Sequence, residues 1–211
     1  HPVAYFDKQR DFLIANNEFN QAAEISERHF FEYHGTMEIL HDAADLYSEA
    51  GNVQKLILCR EKIRDIDPHD FNNRWELVDI LFGINSPLKA KDEINRLLSM
   101  KNVTYASMDE AALRFNWNGL NDDEEKILKK MIKEYPDTSE LYLRLAEVFL
   151  ENERLHLASS TLETYLQKKP DNIDVRLNLA DIYSWYDDHH SSIKHLKYVL
   201  NFQPRNVSLI R

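Results

Sequence analysis

Two adjacent stretches of 34 residues repeat one apolar pattern. Residues 137–170 read DTSELYLRLAEVFLENERLHLASSTLETYLQKKP, and residues 171–204 read DNIDVRLNLADIYSWYDDHHSSIKHLKYVLNFQP. Both stretches carry leucine, alanine and an aromatic residue at matching positions, and both end in proline. Apolar residues recur three and four positions apart on each side of a short polar segment. This spacing predicts a pair of amphipathic helices in each stretch.

The same spacing continues through the rest of the chain. Four prolines follow one another at multiples of 34 residues: Pro68, Pro136, Pro170 and Pro204. We therefore predict six repeats without insertions, the first of them degenerate. Their predicted bounds are 1–34, 35–68, 69–102, 103–136, 137–170 and 171–204. Residues 205–211 are expected to begin a further helix, so we expect the chain to be part of a longer array.

This pattern resembles the tetratricopeptide repeat (TPR), a 34-residue helix-turn-helix unit. The matching residues are a leucine, a small residue, an aromatic residue, an alanine and a closing proline. They are Leu145, Ala146, Phe149, Ala158 and Pro170, then Leu179, Ala180, Tyr183 and Pro204. The resemblance implies an all-α fold, a right-handed α-solenoid of about six TPR helix pairs.

Three residues depart from the repeat pattern. Arg60 and Arg64 stand where other repeats carry apolar residues, so we expect the second helix there to be rotated or poorly packed. Glu124 replaces the small residue of its repeat, which predicts a looser position.

Composition excludes several classes of protein. The 211 residues are 43% hydrophobic and 29% charged, which suits a folded core. Acidic residues outnumber basic ones by 36 to 26, and a net charge of −10 does not suit nucleic-acid binding. A single cysteine excludes an internal disulfide and a cysteine-based zinc site. No apolar run reaches the length of a transmembrane helix, so we predict no transmembrane segment in this chain.

No set of residues indicates an active site. Cys59 lies beside Arg60, but a single helical cysteine is usually a small core residue. His190 and His195 are five residues apart, which does not place both on one helix face for a metal. The acidic run 122–125 suits the first turn of a helix, where negative charge is favoured. The sequence therefore predicts a protein that is not an enzyme, with no catalytic residues, no cofactor and no metal.

The TPR resemblance implies one candidate site, because first helices of successive repeats line a concave surface in that family. One inward position is acidic in five of six repeats, and Leu113 occupies it in the other. We call these carboxylates the acidic ladder: Asp11, Asp45, Asp79, Glu147 and Asp181. The three tryptophans occupy neighbouring inward positions: Trp75, Trp117 and Trp185.

From this arrangement we predict a groove that binds a partner through Asp45, Asp79, Glu147 and Asp181 together with the indoles. Carboxylates attract positive charge, and indoles offer flat surfaces for stacking and cation–π contact. Two partners fit this chemistry, a basic protein segment and a cationic amino-sugar polysaccharide. The competing interpretation is that the acidic ladder is only a solvated helix face.

A second resemblance concerns the tryptophan-bearing segments. Residues 177–188 and 114–119 look like the LAxxYxW repeats of bacterial exopolysaccharide-export proteins of the Pel, poly-N-acetylglucosamine and cellulose types. That resemblance implies a scaffold in the periplasm, next to an outer-membrane component and active in biofilm formation. The alternative is a cytoplasmic protein–protein adaptor, or the regulatory subunit of an enzyme complex, that binds basic peptides.

Overall fold

The computed structural model describes residues 2–101 and 103–202, with side chains from residue 5 to residue 201. Within these ranges the regular elements are twelve α-helices and no strands, which confirms the predicted all-α fold. Pro204 and the helix expected at residues 205–211 lie outside the described residues.

The helices group into two compact units. The first unit contains α1 (Pro2–Ala15), α2 (Phe19–Tyr33), α3 (Met37–Glu49), α4 (Val53–Ile66), α5 (Phe71–Gly83) and α6 (Pro87–Leu98). The second unit contains α7 (Tyr105–Trp117), α8 (Asn121–Glu134), α9 (Glu140–Glu151), α10 (Leu155–Lys168), α11 (Ile173–Trp185) and α12 (His189–Phe202). Inside each unit every helix packs against the next one in sequence, as in a solenoid.

The turn inside each helix pair contains one residue with a left-handed backbone, and these residues follow one another 34 positions apart. These residues have φ between 56° and 66°: Asn17, Gly51, Asn85, Gly119, Glu153 and Asp187. In the pair α9–α10, the Arg154 amide donates to the Phe149 carbonyl at 2.8 Å, and the Glu153 amide donates to the Leu150 carbonyl at 3.0 Å. The same two hydrogen bonds recur in the other five pairs. This is a Schellman ending, which satisfies the last carbonyls of the first helix.

Small residues allow the two helices of a pair to pack closely. Ala112, Ala146 and Ala180 are at most 2% exposed. The aromatic position of the repeat fills the adjacent space, and Phe149 is 3% exposed there. Burial of these apolar side chains is the main source of stability in a stack whose isolated helices would not be stable alone.

The residues that depart from the pattern are nevertheless packed. Arg60 is 7% exposed, and its helix α4 buries Leu56, Cys59 and Ile63 in the core of the first unit. Glu124 is 2% exposed and accepts a hydrogen bond from Asn116. The expectations of a poorly packed helix and of a loose position are therefore wrong, because both side chains are buried and contact hydrogen-bond or ion-pair partners.

Candidate partner-binding surface

The predicted site residues all lie on the first helices of their pairs, and they divide between the two units. The first unit holds Asp45 on α3 with Trp75 and Asp79 on α5, and the second holds Trp117 on α7, Glu147 on α9, and Asp181 and Trp185 on α11. All four carboxylates are exposed. Trp117 and Trp185 are 69% and 64% exposed, whereas Trp75 is half-buried.

In the first unit, two members of the acidic ladder line one cavity between α1 and α3. The cavity has a volume of about 300 Å³ and is lined by Arg10, Asp11, Ile14, Asp42, Asp45, Leu46 and Glu49. Four carboxylates therefore face one arginine, whose guanidinium lies 3.1 Å from Asp11 and 3.7 Å from Asp42. The surplus of carboxylates favours a cation, and Ile14 and Leu46 offer apolar surface for an aliphatic stem.

Arg60 is a charged neighbour of the acidic ladder that the sequence did not predict. Its Nη2 atom lies 2.9 Å from an oxygen of Asp45 and 2.7 Å from an oxygen of Glu76. The Asn73 side-chain amide donates to the Arg60 carbonyl at 3.0 Å. Arg60 therefore joins α3, α4 and α5, and it neutralises part of the negative charge at Asp45. The sequence did contain a sign of this contact, because Arg60 stands where other repeats carry apolar residues.

In the second unit, the ladder alternates with apolar residues on one helix face. On α9 that face carries Leu143, Glu147, Leu150 and Glu151, which follow one another at helical spacing. The two leucines are half-buried and the two glutamates are exposed. Within the described ranges, neither Glu147 nor Asp181 makes an ion pair. This face can contact both a charged and an apolar group of a partner.

The buried Glu124 lies close to this face, and its pKa responds to both burial and neighbouring charges. Its pKa is raised, first because burial disfavours the carboxylate and then because Glu151 and Glu147 repel it. The hydrogen bond from Asn116 at 3.0 Å and the Arg144 guanidinium at 3.8 Å act in the opposite direction. Burial is therefore the main cause of the raised pKa, and the two exposed glutamates of the α9 face add to it.

The residues considered for catalysis have structural roles. Cys59 is fully buried, its Sγ lies 3.5 Å from the Leu40 carbonyl, and burial raises its pKa to about 12. His195 is buried with Nε2 2.9 Å from Glu163, and burial lowers its pKa. His189 and His190 begin α12. Within the described residues, no group of three or more histidine, cysteine or acidic side chains could hold a metal.

The described helices are also too short or too polar to serve as membrane spans.

No protein-family model matches the chain, and no curated protein is similar to it in sequence. Solved structures do match. The crystal structure of MamA is 15% identical and has a TM-score of 0.52, over 81% of this chain and 93% of that one. YrrB, described as a TPR protein with an unusual peptide-binding site, is 13% identical with a TM-score of 0.52, over 89% and 97%.

A third match is a structure of Naa15/Naa10 bound to HypK-THB. It is 15% identical with a TM-score of 0.69 and covers 97% of this chain, which spans 32% of the matched one. Identities this low establish the fold alone. Six helix pairs at 34-residue spacing, matched by these structures, show that the chain has the tetratricopeptide-repeat solenoid fold.

Proposed function

We propose that this protein is a non-catalytic scaffold whose first-helix faces bind an extended, positively charged partner. The observation that carries the proposal is the exposure of a carboxylate at the same position of five repeats. Exposed carboxylates repeated at one position of successive repeats suit recognition of a chain that carries several positive charges.

Affinity in such a site comes from many weak contacts. An exposed ion pair contributes about 0–1 kcal/mol, so one repeat alone binds weakly. Several repeats acting on one chain raise the effective concentration at each further contact. The partner is therefore expected to be extended and to carry charges at several positions, and binding is expected to weaken as salt screens the pairs.

A basic protein or peptide segment is the first candidate for this partner. YrrB is described as having an unusual peptide-binding site, and the Naa15/Naa10 structure is described as bound to HypK-THB. These likenesses support a protein partner for this chain as well. With a protein partner, this chain would act as an adaptor or as the regulatory subunit of an enzyme complex.

A cationic amino-sugar polysaccharide is the second candidate, and the exposed indoles favour it. Trp117 and Trp185 end α7 and α11, and each leaves about two thirds of its surface in solvent. Sugar rings stack on exposed indoles, and ammonium groups pair with Glu147 and Asp181. Together with the LAxxYxW resemblance around Trp185, a polysaccharide partner would mean that the protein acts in bacterial exopolysaccharide export, in the periplasm.

Titration of indole fluorescence tests the proposal and separates the two candidates. One variant, Glu147→Gln with Asp181→Asn, removes two charges from the acidic ladder. Its matched control, Glu134→Gln with Asp174→Asn, removes two charges from exposed residues outside the ladder. Each protein is titrated with partly de-N-acetylated amino-sugar oligomers and with lysine-rich peptides at low and at physiological salt.

We expect the ladder variant to bind at least one probe severalfold more weakly than the control variant does. Preference for the oligomers over the peptides supports the polysaccharide, and the reverse preference supports a protein partner. Equal binding by the two variants would mean that the ladder is only a solvated face.

A further inference from the structure

Helix α9 carries an open surface although other helices of the second unit pack on both of its sides. It contacts α8 and α10. Its first-helix face presents Leu143, Glu147, Leu150 and Glu151 at helical spacing. The two glutamates are exposed, and each leucine is only half-buried. Neighbouring helices of the second unit therefore leave this face of α9 uncovered.

Carboxylates are in excess on the first helices of the second unit. Residues 105–117, 140–151 and 173–185 together contain seven carboxylates and three arginines. Each arginine already has a partner: Arg114 contacts Glu110, Arg144 contacts Asp109, and Arg176 lies 3.5 Å from the ring centre of Tyr198. Among the described residues, Glu147 and Glu151 form no ion pair. Their charge is therefore available to a cationic partner.

The corresponding face of the first unit differs, because two of its ladder carboxylates are already paired. The Arg10 guanidinium lies 3.1 Å from Asp11, and the Arg60 guanidinium lies 2.9 Å from Asp45. A cation that approaches either carboxylate competes with an arginine that is in place. The glutamates of α9 have no such competitor, so a cation binds there without displacing an internal partner.

Apolar side chains flank these glutamates in the repeat register. The position of Glu151 holds Trp117 one repeat earlier and Trp185 one repeat later, and both indoles are exposed. The position of Leu143 holds Leu177 one repeat later, which is also half-buried. A partner that carries only charge leaves this apolar surface in water, whereas a partner with apolar side chains covers it and gains from its burial.

Apolar and acidic residues follow one another on α9 at a spacing that an extended polypeptide matches. Leu143, Glu147 and Glu151 are each one helical turn apart, which is about 6 Å. Side chains on one face of an extended chain are two residues apart, which is about 7 Å. We infer that the second unit binds an extended polypeptide segment in which apolar and basic side chains share one face. This inference rests on the proposed function and narrows its partner to a polypeptide.

In this complex each kind of side chain in the partner has its own contact on α9. Lysine or arginine side chains pair with Glu147 and Glu151, and aliphatic side chains contact Leu143 and Leu150. A cationic polysaccharide supplies ammonium groups for the glutamates but no aliphatic side chain for the leucines. The leucines of α9 therefore distinguish the two classes of partner.

Fluorescence anisotropy of two labelled peptides tests this on the 211-residue chain. Both peptides carry lysine at every fourth position. One has leucine midway between successive lysines, the other has serine there, and serine fills the remaining positions of both. We expect the leucine peptide to bind about threefold or more tightly than the serine peptide, because its leucines bury apolar surface on α9.

Two chain variants locate the preference for the leucine peptide. Leu143→Ser should remove most of it, whereas the matched control Leu155→Ser should keep it. Both leucines are half-buried against the same core cluster, but Leu155 lies on α10. Circular dichroism checks that both variants keep their helical content.

Equal affinity of the two peptides for the unchanged chain would overturn the inference, and this comparison does not depend on the folding of any variant. If both peptides then bind more weakly to Glu147→Gln with Asp181→Asn, the proposed cationic partner stands without the apolar contacts. An equal loss of preference in Leu143→Ser and Leu155→Ser would also overturn the inference. Failure of both peptides to bind would overturn it together with the proposed protein partner.

Discussion

The guanidinium of Arg60 lies 2.9 Å from the carboxylate of Asp45, so a positive charge lies directly beside one member of the acidic ladder. Arg60 occupies a position that holds Ile94, Leu128 and Leu162 in other repeats. It is 7% exposed, and its Nε atom has no hydrogen-bond partner. A buried arginine in this setting adds little net stability, because loss of its hydration offsets the ion pairs.

We predict that Arg60→Leu changes the free energy of unfolding by less than about 1 kcal/mol, since leucine fills the space and leaves Asp45 and Glu76 in solvent. Arg60→Ala should cost about 2–3 kcal/mol because it leaves a cavity. Urea unfolding measures both. Arg60→Leu should also bind lysine-rich peptides more tightly, and equal destabilisation by the two variants would contradict this account.

Glu124 and Glu125 are adjacent, and their pKa values move in opposite directions. Burial raises the pKa of Glu124. Burial also acts to raise the pKa of Glu125, but hydrogen bonds from Lys129 and Arg154 outweigh it and lower that pKa. In the folded state Glu124 therefore binds its proton more readily than in the unfolded state, so its contribution to stability falls as pH rises. The contribution of Glu125 rises with pH.

At pH 7 we expect Glu124→Gln to raise the free energy of unfolding by about 1 kcal/mol. Glu125→Gln should lower it by about 0.5–1 kcal/mol. Both differences should shrink as the pH falls towards the carboxyl range, near 4. Urea unfolding of both variants between pH 4 and pH 7 measures the effect. A loss of stability in Glu124→Gln at pH 7 would show that its charge is well compensated.

Glu153 has φ of 57° at the position where other repeats place Gly51 and Gly119. A side chain with a Cβ atom is strained in this region by about 1 kcal/mol, whereas glycine is not. We predict that Glu153→Gly stabilises the chain by about 0.5–1 kcal/mol and that Gly119→Ala destabilises it by a similar amount. Thermal unfolding measures the melting temperatures of the two variants. A shift of both melting temperatures in the same direction would contradict this explanation.

Phe149 fills the gap beside Ala146, and the Arg154 guanidinium lies 4.8 Å from the centre of its ring. Phe149→Ala removes a ring that is 3% exposed, so it should lower the free energy of unfolding by about 3–5 kcal/mol. Urea unfolding followed by circular dichroism measures this. A loss below about 1 kcal/mol would mean that the aromatic position is not part of the core.

The sequence predicts the helix pairs because each repeat must bury an apolar stripe, and the spacing of Pro136, Pro170 and Pro204 fixes the period. The left-handed turn position could also have been found, since Asn17, Gly51 and Asn85 are residues that tolerate positive φ. Apolar periodicity alone does not reveal it. In one repeat this position holds Glu153, a residue type that does not favour positive φ, so the sequence of that repeat does not indicate the turn.

The ion-pair and hydrogen-bond partners of individual side chains could not be predicted from the sequence. The pattern marks Arg60 as unusual, but only the packing of α3, α4 and α5 places Asp45 and Glu76 within reach of its guanidinium. Likewise, helical spacing assigns Trp75, Trp117 and Trp185 to related faces, whereas their exposure depends on neighbours from other helices. Trp75 is half-buried for this reason, while Trp117 and Trp185 stand at helix ends.

Zero-length carbodiimide coupling of a bound lysine-rich peptide tests the central claim most directly, because it joins peptide amines to the carboxylates that they contact. The chain has 36 acidic residues, so carboxylates outside the ladder serve as internal controls. Peptide mapping by mass spectrometry should find the cross-links concentrated at Asp45, Asp79, Glu147 and Asp181 and lost at high salt. Cross-links spread over second-helix carboxylates such as Glu24 and Asp92 in proportion to their exposure would contradict a binding surface on the first helices.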